Sequence, residues 1–148
     1  ILRRERSAQD NLVGEYEKLV QQTPQNADLL HLLAYAQQLS GNLAAAQQTY
    51  ERARQLRPDY APLYRDLGQL FTKVNDFAAA RSAFDRAVAL EPGEPLTFLY
   101  LGEMLEKAGD LRGAAGAYLN AQNLAPLWER PPQRPGLVYG KLDRLGQR

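Results

Sequence analysis

The chain has 148 residues, and its 18 basic side chains nearly balance its 17 acidic ones. Because the net charge is close to zero, the composition does not indicate attraction to nucleic acid or to an anionic membrane. The absence of cysteine excludes disulfides, thiol catalysis and thiolate metal sites, and the apolar runs are far shorter than the roughly 18 residues of a membrane-spanning helix.

The first predicted element is a helix from about Arg3 to Gln22, with Leu12, Tyr16 and Leu19 on one face. The chain begins at Ile1 without a methionine and shows no signal peptide. We therefore expect a piece of a longer protein, whose compartment stays open between cytoplasm and bacterial periplasm. The composition, rich in Ala, Leu, Gln and Arg, suggests a bacterial source.

From residue 27 onward the same pattern returns every 34 residues. Helices are predicted over 27–39, 43–56, 61–74, 77–90, 95–107 and 111–124. The recurring residues are prolines at 24, 58, 92 and 126, aromatics at Tyr16, Tyr50, Phe84 and Tyr118, and turns at Gly41-Asn42, Asn75-Asp76 and Gly109-Asp110. A constant period of this length, with two helices in each unit, is typical of a helical solenoid.

These units resemble the tetratricopeptide repeat (TPR), a 34-residue pair of helices called A and B. The middle unit carries the family's residue types at Tyr64, Leu67, Gly68, Phe71, Ala80, Phe84, Ala87 and Pro92. The units on either side carry the same pattern and depart from it at Gln37 and at Leu105. The resemblance implies an all-α, right-handed superhelix with repeats at 27–60, 61–94 and 95–128. In this frame residues 1–26 form a helix-B half repeat or an N-terminal cap.

Two glycines stand in the middle of predicted A helices, at Gly68 and Gly102. Glycine at such a position costs roughly 1 kcal/mol relative to alanine. We therefore predict that helix B passes too close to helix A at these points for any side chain to fit.

Residues 129–148 keep the repeat frame but carry prolines at 131, 132 and 135. No helix can begin there before about Pro135, because proline lacks the N–H group and restricts the residue before it. We interpret this segment as a truncated fourth repeat or C-terminal cap. Left uncovered, its apolar face would promote a homodimer.

Patterns for catalysis and for metal binding are weak. His31 is the only histidine, and its i, i+3 partner Asp28 does not complete a metal site. Glu103 and Glu106 share a helix face without a nucleophile or a base beside them, and residues 136–142 lack the spacing and the hydroxyl of a phosphate-binding loop. We expect no enzyme, no metal and no cofactor, and we expect His31 to be an exposed groove residue.

The resemblance implies that the A helices line a concave groove for a peptide or a partner protein. The side chains placed there are His31, Tyr35, Gln38, Arg65, Gln69, Thr72, Leu99, Glu103 and Glu106, with Asp28 and Leu96 at the same repeat positions. A mixed lining of this kind suits a peptide held by a few anchors. Tyr35 and Arg65 are of the residue types that most often dominate interface energies.

The expected function is a non-catalytic scaffold or adaptor that binds a protein or peptide, without nucleic-acid binding or membrane insertion. An alternative is the TPR portion of a larger bacterial enzyme or of an envelope or secretion assembly factor. Residues 136–147 are similar to TPR segments behind bacterial zinc metalloproteases, although the protease signature HExxH is absent here. A carboxylate clamp, as in chaperone-tail binders, is matched in part by Arg65, Gln69, Tyr100, Arg130 and Arg134.

Overall fold

A computed structural model describes residues 2–125 of the chain, with side chains from residue 8 onward, and all of its regular structure is helical. The seven helices of this part are α1 (Leu2–Gln22), α2 (Ala27–Leu39), α3 (Leu43–Leu56), α4 (Ala61–Lys73), α5 (Phe77–Leu90), α6 (Pro95–Lys107) and α7 (Leu111–Leu124). The predicted all-α solenoid is confirmed, and every helix boundary lies within one residue of its predicted place. The segment 129–148, with its predicted fourth repeat, lies outside the described residues.

The turn from helix A to helix B has the same construction in every repeat. In the middle repeat Asn75 takes the left-handed conformation (φ 61°), and Asp76 then caps α5 by accepting a hydrogen bond from the Ala79 amide at 3.2 Å. The Asp76 amide donates back to the Phe71 carbonyl at 2.9 Å, which closes a Schellman motif. Gly41 with Asn42 and Gly109 with Asp110 repeat the arrangement.

The turn from helix B to the next helix A is set by proline. The residues before Pro58 and Pro92 leave the helical region, with φ and ψ of −136° and 78° at Arg57 and −144° and 78° at Glu91. The ring of a proline disfavours the helical conformation in the preceding residue. Each B helix therefore ends two residues before its proline.

The core runs along the stack instead of gathering at a centre. A large ring is buried completely in each repeat, at Tyr50, Phe84 and Tyr118. One cluster of buried side chains extends from Val20 to Leu70, a second extends from Ala80 to Ala121, and Phe71 packs against both. Neighbouring repeats thus share apolar contacts across each junction.

The prediction for the two mid-helix glycines is confirmed. A Cβ atom added to Gly68 would lie 2.6 Å from the Phe84 ring, and one added to Gly102 would overlap the Tyr118 ring. Because both rings are fully buried, they have no free space into which to move. The missing side chain lets the two helices of a repeat approach closely.

Of the predicted core face of α1, Tyr16 packs against the core, whereas Leu12 and Leu19 do not. Leu12 and Leu19 are 44% and 42% exposed, whereas Val13, Tyr16 and Val20 pack against the first cluster. In the first complete repeat the equivalent residues, Ala46 and Ala53, are buried in the core. No described helix precedes α1, so only the side that faces α2 is covered.

None of the helices in the described part is both long enough and apolar enough to span a membrane.

Gly68→Ala and Gly116→Ala should change stability in opposite directions. The first places a methyl group against the buried Phe84 ring, and overpacking of this kind costs about 1–3 kcal/mol. The second adds a methyl group in α7 where no atom lies within 4 Å, so it should gain up to about 1 kcal/mol from helix propensity alone. Urea unfolding of both variants measures the difference. A gain of stability in both would contradict the close approach at Gly68.

Candidate partner-binding surface

The A helices α2, α4 and α6 lie side by side, with α4 in contact with both of the others. We call their solvent-facing side the A-helix surface. Polar contacts between residues 35 positions apart join neighbouring A helices. His31 on α2 meets Asp66 on α4, and Lys107 on α6 donates to the Thr72 carbonyl on α4 at 3.1 Å.

Tyr100 is half-buried on α6, and residues of all three A helices affect its hydroxyl electrostatically. Burial raises the pKa of its hydroxyl, the positive charge of Arg65 lowers this pKa, and Asp66, Glu103 and Tyr35 raise it further. Such effects require the groups to be near one another. Tyr35, Arg65 and Glu103, three of the predicted groove residues, therefore lie near enough to Tyr100 to influence the pKa of its hydroxyl.

His31 is half-buried rather than exposed as expected. Its Nε2 atom lies 2.6 Å from the Asp66 carboxylate, and the two side chains are only 17% and 18% exposed. The imidazole ring also contacts Tyr60 edge-on, with 5.8 Å between ring centroids, and lies 6.0 Å from Tyr50. His31 therefore holds the first two repeats together.

The linker between α3 and α4 adds a second contact beside His31. The Arg57 guanidinium lies 4.0 Å from the centre of the Tyr60 ring and donates to the Asp28 carboxylate at 2.8 Å. Tyr60 thus makes ring contacts with a cation and with an imidazole. Arg57 and Tyr60 could not be predicted from the sequence, because no repeat position marks the linker as part of the surface.

Two of the predicted groove residues do not reach the surface. Leu99 is 4% exposed and belongs to the second core cluster. Gln38 is 5% exposed, and its Oε1 atom accepts a hydrogen bond from the Tyr50 hydroxyl at 2.9 Å. The buried hydroxyl of Tyr50 needs an acceptor, and Gln38 supplies it.

The other candidates lie on the A-helix surface with different exposure. Tyr35 is the most open of them, at 43%. Thr72 donates its hydroxyl to the Gly68 carbonyl of its own helix at 2.8 Å. The remaining half-buried candidates are Arg65, Gln69, Glu103 and Glu106.

Within the described residues, no group of three or more histidine or carboxylate side chains could hold a metal ion.

Tyr50→Phe and Gln38→Thr should show strong coupling. Tyr50→Phe leaves the buried Gln38 oxygen without its donor, which costs about 1–3 kcal/mol. The double variant reproduces the pair that the second repeat already uses, Phe84 with Thr72, so it should recover part of this loss. A double-mutant cycle by urea unfolding should give a coupling energy of about 1 kcal/mol. If the destabilisation of the double variant equals the sum of the two single destabilisations, Gln38 and Tyr50 do not act as a pair.

The single variant Tyr50→Phe should also change how the stability of the chain responds to alkaline pH. Burial, followed by the charges of Asp66 and Tyr35, raises the pKa of the Tyr50 hydroxyl above its ordinary value. The group therefore stabilises the folded chain fully below about pH 10, where the unfolded chain begins to ionise, and this contribution falls as the pH rises further. Tyr50→Phe should reduce the alkaline loss of stability.

Asp66→Asn should destabilise the chain by about 1–2 kcal/mol, because it removes the charged acceptor of a half-buried hydrogen bond to His31. Asp85→Asn is the matched control. Its carboxylate accepts from Arg81 at 3.0 Å, but both side chains are more than half exposed, and such surface pairs contribute less than about 0.5 kcal/mol. Equal unfolding free energies for the two variants would show that the His31 contact does not stabilise the junction between the first two repeats.

Comparisons with known proteins agree with this architecture. Two family models described as "Tetratricopeptide repeat" match residues 15–48 and 65–126. Two crystal structures of MamA superpose with TM-scores of 0.75 and 0.73 at 24% identity. They cover 97% of this chain, and 86% and 80% of their own chains. No curated protein sequence matches the chain significantly. At this identity the MamA likeness shows the fold alone, and the two family matches show that the chain belongs to the tetratricopeptide repeat family.

Proposed function

We propose that the chain is a non-catalytic scaffold or adaptor that binds a peptide or a partner protein on the A-helix surface. TPR repeats serve in general as protein-interaction modules. The finer proposal is supported by a mixed set of solvent-accessible side chains on neighbouring A helices, with Tyr35 on α2, Arg65 on α4 and Glu103 on α6. An aromatic ring, a cation and an anion within one small area can each contact a different group of a peptide.

The contacts between the A helices support this proposal, because they stiffen the surface before any partner arrives. His31 with Asp66 and Lys107 with the Thr72 carbonyl join neighbouring repeats on this side of the molecule. Binding to a preorganised surface loses less conformational entropy than binding to a mobile one. A few anchor residues can then supply most of the affinity.

The proposed contact set is smaller than the predicted one. It keeps the central residues Tyr35, Arg65 and Glu103, and extends along α4 and α6 through Gln69, Thr72 and Glu106. Gln38 and Leu99 are left out because they are buried. His31 is left out because it contacts Asp66 and so joins the first two repeats.

We likewise propose the division of the chain into 1–26, 27–60, 61–94, 95–128 and 129–148. One pair of helices falls in each of the three central units. Within the alternative of a larger enzyme or assembly factor, the similarity to segments behind zinc metalloproteases depends on residues 136–147, which lie outside the described residues. That interpretation and the homodimer through 129–148 therefore stay predictions.

The variant Tyr35→Ala, Arg65→Glu should release a partner that the native chain retains. Both chains are immobilised, exposed to lysate of the source organism, and the retained proteins are quantified by mass spectrometry. We expect at least a tenfold loss of the partner, which corresponds to about 1.4 kcal/mol.

A matched control carries the same two kinds of change away from the A-helix surface. Leu119→Ala, Arg112→Glu alters two exposed residues of α7 and should leave capture unchanged. Both variants are first checked for native helix content and melting temperature. A partner retained by both variants, or lost equally from both, would count against the A-helix surface as the binding site.

A further inference from the structure

A concave feature lies on another side of α4, between the B helices α3 and α5. It has a volume of about 390 Å³, within the range of roughly 300–1,000 Å³ that is typical of ligand pockets. We call it the B-helix groove. Its lining residues are Glu51, Arg54, Tyr64, Leu67, Phe71, Ala79, Ser82, Ala83 and Arg86.

The groove is separate from the A-helix surface because the two use different faces of α4. Tyr64, Leu67 and Phe71 recur at i, i+3 and i+7, and they form one stripe of the helix. Arg65 and Gln69 lie on the A-helix surface, more than 90° around the helix axis from that stripe at about 100° per residue. A ligand in the groove therefore leaves the A-helix surface accessible.

The floor of the groove is apolar. Tyr64, Leu67 and Ala83 are between 3% and 6% exposed, and Phe71 is half-buried. The Tyr64 hydroxyl is already used, since it donates to the Pro58 carbonyl at 2.7 Å. The ring therefore offers an apolar wall to whatever enters.

The rim of the groove is basic. Arg54 forms a surface ion pair with Glu51 on its own helix at 2.5 Å. The Arg86 guanidinium lies 5.9 Å from the centre of the Tyr64 ring, and no carboxylate of the described residues pairs with it at the salt-bridge distance. The three charged rim residues, two arginines and one glutamate, leave a net charge of +1.

This basic rim is not a general property of the repeat. One period earlier the positions of Arg54 and Arg86 are held by Val20 and Arg52, and one period later by Val88 and Asn120. Of these three equivalent places, only the one between α3 and α5 carries arginine at both positions. Repeat packing alone therefore does not require the two arginines.

We propose that the B-helix groove docks an acidic peptide segment of a partner protein. A large apolar side chain of the segment enters the groove between α3 and α5, and flanking carboxylates pair with Arg54 and Arg86. Arginine binds carboxylates well because its planar fork donates two parallel hydrogen bonds. The inference goes beyond the proposed function, since with two independent faces one chain can join two partners.

Three acetylated and amidated hexapeptides, EELFEE, KKLFKK and EESSEE, test the proposal. KKLFKK lacks the flanking carboxylates, and EESSEE lacks the large apolar side chains. Each is titrated into the ¹⁵N-labelled chain and followed by NMR. We expect EELFEE to shift the amides of Ala79, Ala83 and Arg86, and to bind at least tenfold more tightly than either of the other peptides.

Arg54→Val, Arg86→Asn removes both charges with the residues that the next repeat carries at these positions, so the fold should tolerate it. We expect at least a tenfold weaker binding of EELFEE. Arg81→Val, Arg112→Asn makes the same two changes at exposed arginines outside the groove and should leave binding unchanged. Glu51→Gln frees Arg54 from its ion pair and should strengthen binding by about twofold to fivefold.

Four outcomes would overturn the proposal: no shift at millimolar EELFEE, equal binding of KKLFKK, shifts confined to the A-helix surface, or equal losses in the two double variants. Unfolding free energies of all variants are measured first, so that a folding defect is not mistaken for lost binding.

Discussion

The close approach of the two helices within a repeat is the constraint on which the rest of this structure depends. It is set where the buried ring of Phe84 lies against Gly68, and again where Tyr118 lies against Gly102. Because the ring takes up one side of α4, the remaining sides face elsewhere. One contributes to the A-helix surface, and another forms the floor of the B-helix groove. Both candidate sites are therefore consequences of one packing contact.

The first repeat departs from the family pattern and compensates for it with polar pairs. Gln37 stands where an aromatic is usual, and its side chain accepts a hydrogen bond from Thr49 at 2.7 Å in the core. Gln38 does the same for Tyr50. Buried polar groups are costly unless they are paired, so each of these buried glutamines requires a hydrogen-bonding partner on the facing helix.

Much of the fold could be predicted from the sequence, because a period of 34 residues repeats every local signal. Turns, prolines and small residues marked all six repeat helices to within one residue. The exposure of His31, Gln38 and Leu99 could not be predicted in this way, because it depends on partners in another helix. The sequence did contain a signal for the contacts between neighbouring A helices, namely a spacing of 35 residues. His31 with Asp66 and Thr72 with Lys107 both have this spacing. Arg65 and Tyr100 share that spacing.

The polar contacts between neighbouring A helices influence how the repeat array unfolds. In a linear array each repeat contacts only its neighbours, so cooperativity of unfolding depends on the coupling at each junction. The first junction combines the His31 contact with the Tyr60 rings and the Arg57 pair, whereas the second has the exposed Lys107 contact with a carbonyl. Cohesion at the first junction thus depends on polar side chains as well as on apolar packing, so a single polar substitution there can lower the cooperativity of unfolding between the first two repeats.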